Sequence, residues 1–233
     1  MTQATVTPFK RCRVLRPDAG VLASALLALA LLAPTGVAAQ HRYDNPREMY
    51  LLPEYCKYTQ DFRDRIPGAN DRGQVQRWTE LMGPVFVHLH HYCWALMATN
   101  RANFLSRTPQ ERQHNLFDSI GDFDYVIQRS PANFGLLPEI HTKKGENLLQ
   151  MERVSEGMEA LQHAIELRSD YWEAYAAISD YYRNKGQLPK AREWAEKGLS
   201  VAPGNMPLSR RLAQIDAAQG TSGRSGSQQA VGR

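Results

Sequence analysis

In the carboxy-terminal half of the chain, apolar and small residues return at the three-and-four spacing of amphipathic helices, and the helical pattern itself repeats. The period is 34 residues: Gly145, Leu148, Leu161, Ala164, Leu167 and Ser169 align with Ser179, Tyr182, Ala195, Gly198, Val201 and Pro203. Each unit reads as helix, short turn, helix, turn. In the second unit Ser169 or Asp170 can cap a helix from about Tyr171, Gly186 can end it, and Pro189 opens the next, which runs to about Ser200.

Upstream, Thr108-Pro109-Gln110-Glu111 is a helix start, with Thr108 as cap, Pro109 in the first turn and Glu111 closing a capping box. Leu116, Ile120, Phe123 and Ile127 then recur on one face. A helix from Pro84 to about Leu105 is the expected partner, and Met206 to Ala218 reads as the single capping helix that a solenoid needs at an end. No strand-bearing pattern occurs, so the predicted class is all-α.

Residues 172–205 resemble the tetratricopeptide repeat: Tyr175, Ile178, Ser179, Tyr182, Ala191, Gly198 and Pro203 fall on the large, small, aromatic, alanine and proline positions of that family's pattern. The unit from Pro138 to Tyr171 keeps Gly145, Leu148, Gly157, Leu161, Ala164 and Leu167, but has His141 and Lys144 where bulky apolar residues are expected. A third, degenerate unit aligns when Val126 is set on Ala164, which puts Phe123 and Pro131 on family positions. The resemblance covers residues 84–218 and implies a helix-turn-helix solenoid of about three units plus a capping helix. Residues 40–83 are then an amino-terminal helical extension, and 219–233, small and polar throughout, a disordered tail.

The resemblance implies a scaffold or adaptor that binds protein or peptide in a concave groove formed by the first helix of each unit. Carried over position by position, the groove-facing residues are Lys143, Glu146, Gln150, Asp180, Arg183, Asn184, Arg210 and Arg211, with Thr142, Ala176 and Gln214 beside them. Family members that grip a terminal carboxylate do so with Lys and Asn at positions held here by Thr142, Glu146 and Ala177. That specificity is not implied, although Arg183, Arg210 and Arg211 can meet an acidic ligand.

Composition alters the reading at the amino terminus. Lys10, Arg11, Arg13 and Arg16 precede an apolar run, Ala19 to Leu32, and the small-residue stretch Val37-Ala38-Ala39 follows. The run is too short to span a bilayer, and the whole reads as a secretory signal, 1–39, cut before Gln40, with an uncleaved amino-terminal anchor as the alternative. The expected location is a bacterial periplasm or the extracellular side, with no stable membrane anchor after cleavage. The formal charge of +4 belongs largely to this segment; the remainder carries 24 basic against 23 acidic residues, which gives no case for nucleic acid as partner.

Candidate chemistry is sparse. His88, His90 and His91 with Cys93 invite a metal reading, but at about 100° per residue on a straight helix the three histidines diverge and Cys93 faces an apolar arc. Only His88 and His91, one turn apart, could form half of a site, and the expectation is no metal. Cys56 and Cys93 are the only thiols after the signal. In an oxidising compartment a disulfide is the economical reading, against two free buried thiols or a Cys–His metal pair. No phosphate loop, His-Glu-x-x-His or Gly-x-Ser-x-Gly occurs, so neither catalytic residue nor cofactor is predicted. The expected function is a non-enzymatic adaptor; a metal-handling protein using His88 and His91, and an accessory subunit of a larger enzyme or envelope complex, are the alternatives.

Overall fold

The computed structural model describes the backbone of residues 46–229 and the side chains of 47–220. The expected signal, 1–39, lies outside the described residues. Two 3-10 turns, Pro46–Leu51 and Glu54–Tyr58, lead into α1 (Phe62–Arg65) and α2 (Arg72–Met82). A 3-10 segment, Gly83–His88, continues into α3 (Leu89–Asn100), which closes in a π turn, Arg101–Leu105. Then come α4 (Pro109–Arg129), α5 (Leu137–Gln150), α6 (Val154–Leu167), α7 (Trp172–Asn184), α8 (Leu188–Val201) and α9 (Met206–Gln229). All regular elements among the described residues are helical. The pairs α3–α4, α5–α6 and α7–α8 pack as hairpins, and α9 covers the last pair, which makes an all-α solenoid of helical hairpins among the described residues.

Local signals explain most boundaries. Thr108 Oγ1 accepts from the Glu111 amide at 3.1 Å, while the Glu111 carboxylate accepts from the Arg107 amide at 2.7 Å, one residue further out than in a standard capping box. Gly186 takes φ +70° behind α7, a conformation a side chain would resist. The cap expected from Ser169 or Asp170 is absent: Tyr171 stands at that end without a side-chain bond, and the Ser169 carbonyl accepts instead from the Tyr175 hydroxyl at 3.0 Å.

Between α5 and α6 two glycines let the backbones touch. A Cβ on Gly145 would stand 2.7 Å from Leu161 Cγ and 2.9 Å from the Gly157 carbonyl, and one on Gly157 would meet Leu149 at 2.8 Å. Gly145→Ala therefore opposes a helix-propensity gain of about 1 kcal/mol against overpacking of about 1–3 kcal/mol. Because the obstacle is backbone and a branched carbon, we expect a lower urea midpoint for Gly145→Ala; a higher one would show that the pair can spread at no cost.

Three expectations change. The helix from Pro84 to Leu105 is broken into 3-10, α and π segments, because Gly83 at φ +68° and Pro84 tighten its entry. The extension is not an appendage: Leu52, Tyr55, Cys56, Tyr58 and Phe62 share one core with Phe86, Leu89, Tyr92, Cys93, Phe123 and Ile140. Cys56 and Cys93, both fully buried, are joined by a disulfide with Cα atoms 5.7 Å apart. Finally, α9 continues past Ala218 to Gln229 where a tail was expected; extending a formed helix needs no new nucleus, so its polar residues follow the packed turns anchored by Leu208 and Ile215.

In the C-terminal hairpin Ile178, Ala174, Ala191 and Ala195 are fully buried, and Ser179 Oγ donates to the Ala191 carbonyl at 2.7 Å across the pair. Tyr182 is only partly buried, with Lys190 over its ring, so the centre of this packing is Ile178.

Candidate functional site

The first helices of the last units, α5 and α7, and the closing helix α9 stand side by side, and their polar faces line two adjoining hollows. One, of about 590 Å³, is walled by Glu146, Gln150, Asp180 and Asn184, with Leu149, Ala177 and Tyr181 as an apolar floor. The other, of about 310 Å³, is walled by Asp180, Arg183, Arg210, Arg211 and Gln214. Asp180 lines both, so the two hollows adjoin at α7.

Seven of the eight sequence-predicted groove residues line these walls. The eighth, Lys143, stands beside them and pairs with Glu146 at 3.0 Å. Thr142 and Ala176 are buried; Thr142 Oγ1 donates to the Pro138 carbonyl at 2.8 Å, so neither faces the groove as expected. Asn103, Arg112 and Glu152 also line the larger hollow and were not predicted. Asn103 lies in the π turn and Arg112 on the second helix of a degenerate unit, where the 34-residue register assigns no inner position. Glu152 sits just past α5 at φ +59°, which swings it inward from a turn.

Few of the groove's charges stand alone. Asp180 accepts from Arg183 at 3.0 Å and Arg211 at 2.9 Å, and Arg183 also donates to Gln214 at 2.5 Å. Arg112 donates to Gln150, and Lys185 pairs with Glu152 at 2.9 Å. Arg210 is exposed and has no ion-pair partner among the described residues.

The histidine stretch is occupied by packing. Helix α3 is buried nearly all round, with the extension on one side and α4 on another, and its Ala95 is fully buried. His91 Nδ1 lies 2.6 Å from Asp122 Oδ1 and its ring stacks on Tyr125 at 3.6 Å. His88 Nδ1 is 3.4 Å from the Tyr125 hydroxyl, and His90 Nδ1 donates to the Val87 carbonyl at 2.9 Å. No three ligating side chains converge among the described residues.

A second histidine pair carries a pH dependence. His141 on α5 and His163 on α6 meet edge to face at 4.6 Å. Burial first, then the neighbouring His163 and Lys144, hold His141 down at about 4, against a pull from Asp124. Between the ordinary value of 6.5 and about 4 the unfolded chain binds a proton that the folded chain refuses. The stability contributed by neutral His141 is thus complete above 6.5 and lost as pH falls toward 4, and His90, lowered by burial and by His91, adds to the same acid limb. Thermal melts should show the midpoint falling across this interval, and His141→Gln should flatten the fall; an unchanged slope in the variant rejects the assignment.

Residues 173–205, which span α7 and α8, match the tetratricopeptide repeat family model. A stretch of 105 residues is 24% identical to the human protein O-mannosyl-transferase TMTC1; it makes up 45% of this chain and only 12% of that protein. Among solved structures, the first tetratricopeptide domain of Spaghetti (RPAP3) bound to an HSP90 peptide is 18% identical, covering 54% of this chain and 95% of that one with a TM-score of 0.39. MamA is 17% identical, covering 64% and 85%, with a TM-score of 0.40.

Proposed function

We propose that the chain is an exported adaptor that binds a protein or peptide partner in the groove crossing α5, α7 and α9, and that it performs no catalytic step of its own. The observation that carries this reading is the pair of open, polar-walled hollows that adjoin at Asp180, a surface suited to an extended segment rather than an enclosed pocket. An extended segment can lie there with its backbone near Gln150, Asn184 and Gln214, whose side chains offer both donors and acceptors.

Export is supported by the basic, apolar and small-residue sequence of the first 39 residues and by the buried Cys56–Cys93 bond, which suits an oxidising compartment such as a periplasm or the extracellular space. None of the helices among the described residues is long and apolar enough to cross a membrane. The near balance of charge beyond residue 39 favours a protein partner over nucleic acid.

A photo-crosslinking amino acid placed at Asn184 or Gln214 tests the assignment. In an oxidised extract both positions should trap the same partner, and Glu193, exposed on the outer face of α8, should trap none. Crosslinks confined to Glu193 would move the binding surface to the convex side.

A further inference from the structure

We propose that the groove reads charge order: it takes an extended segment carrying a basic residue over the α5 end and an acidic residue over the α9 end, about five or six positions apart. This rests on the groove reading above and specifies the partner's chemistry.

The walls differ in sign. At the α5 end Glu146 and Glu152 face the larger hollow with Asp180 at its far side, against one cation, Arg112, whose guanidinium is engaged with Gln150. The partners of the two glutamates, Lys143 and Lys185, do not line it and are both more than a third exposed, so these are rim ion pairs of the kind worth little and readily exchanged. A lysine or arginine of the ligand can therefore take over either carboxylate while its stem covers Leu149 and Tyr181. At the α9 end the smaller hollow holds Arg183, Arg210 and Arg211 against the single carboxylate of Asp180. That leaves positive charge in excess, and Arg210 supplies a guanidinium with no ion pair to another described residue. A groove of one sign would favour any oppositely charged peptide; this one favours a peptide of both signs laid in one direction and repels the reverse arrangement.

The spacing follows from the fold. The two ends are separated by α7, so they lie about two interhelical distances apart, roughly 16–20 Å at 8–10 Å each. An extended chain covers about 3.3–3.6 Å per residue, which sets the two ligand charges about five or six positions apart.

The test uses the full oxidised chain and fluorescein-labelled dodecapeptides in an anisotropy titration. One probe carries a lysine pair and a glutamate pair separated by four Ser/Ala residues; its controls carry lysine only, glutamate only, or the same residues with the signs alternating. The two-sign probe should bind at least about tenfold more tightly than every control, and lose about tenfold on Arg210→Glu or Glu146→Lys. Equal binding of the glutamate-only or alternating probe, or no binding of the two-sign probe, overturns the proposal. If the probes fail while crosslinks at Asn184 and Gln214 still form, charge order falls and the groove reading stands; if both fail, the two fall together.

Discussion

Replacing both Cys56 and Cys93 with alanine is expected to lower the free energy of unfolding by about 4 kcal/mol. The bond closes a loop across a sequence separation of 37 residues, and that much chain entropy returns to the unfolded ensemble when it is cut. For a chain of this size the loss corresponds to a drop of roughly 8–16 °C in the melting midpoint. The damage should begin in the extension, since Leu52, Tyr55, Tyr58 and Phe62 are held against Leu89 and Tyr92 around the bonded pair. Hydrogen exchange should accordingly show early loss of protection over the Glu54–Tyr58 turn and α1, with α7 and α8 little changed. Because both cysteines have no exposed surface, a mild reductant should act only as fast as this region opens. A double variant that melts within about 2 °C of the parent would mean that packing alone holds the extension.

The second large effect is expected at Asn147, which lies fully buried where α3, α4 and α5 meet. Its amide donates to Thr99 Oγ1 at 2.6 Å and to Ser119 Oγ at 2.8 Å. Each hydroxyl spends its own hydrogen on a helical carbonyl, Thr99 on Ala95 and Ser119 on Leu116, so the two amide protons fill lone pairs that have no water to turn to. Asn147→Ala removes both donors and opens a cavity, and should cost about 3 kcal/mol in a urea titration. Removing all three polar groups together, as Thr99→Val, Ser119→Ala and Asn147→Leu, should recover most of that, because apolar partners of similar shape leave nothing unsatisfied. A cost for Asn147→Ala below about 1 kcal/mol would show that water reaches the site.

That network marks where the sequence stops being legible. The repeat was readable because its signals are local: Gly186 behind α7, Pro189 in the first turn of α8, and Thr108 ahead of α4 each act through neighbouring backbone. The disulfide followed from counting thiols. Asn147 carries no such mark, because its polarity looks like a surface residue until α3 and α4 are known to bring hydroxyls against it. Helix α3 was hard to read for a related reason: burial on several sides leaves no periodic face, and Ala95 is as fully covered as Leu89. In the groove, Asp180, Arg183 and Asn184 line the hollows, whereas Ala176 of the same unit is buried and the Thr142 hydroxyl is drawn back to its own helix. Arg112, Asn103 and Glu152 come from a turn and from a degenerate unit, so no register pointed to them.

Asp180 has a consequence for how long any partner stays. Its carboxylate already holds Arg183 and Arg211, the place that the acidic group of the proposed ligand would take. An arriving carboxylate trades places with it, and the ion pairs gained are offset by those surrendered. What remains of the attraction comes from Arg210, which has no ion pair with another described residue to give up. Departure is correspondingly easy, since Asp180 re-forms both contacts as the ligand leaves. The ligand proposed above would therefore leave readily, the behaviour of a hand-off point rather than of a permanent clamp.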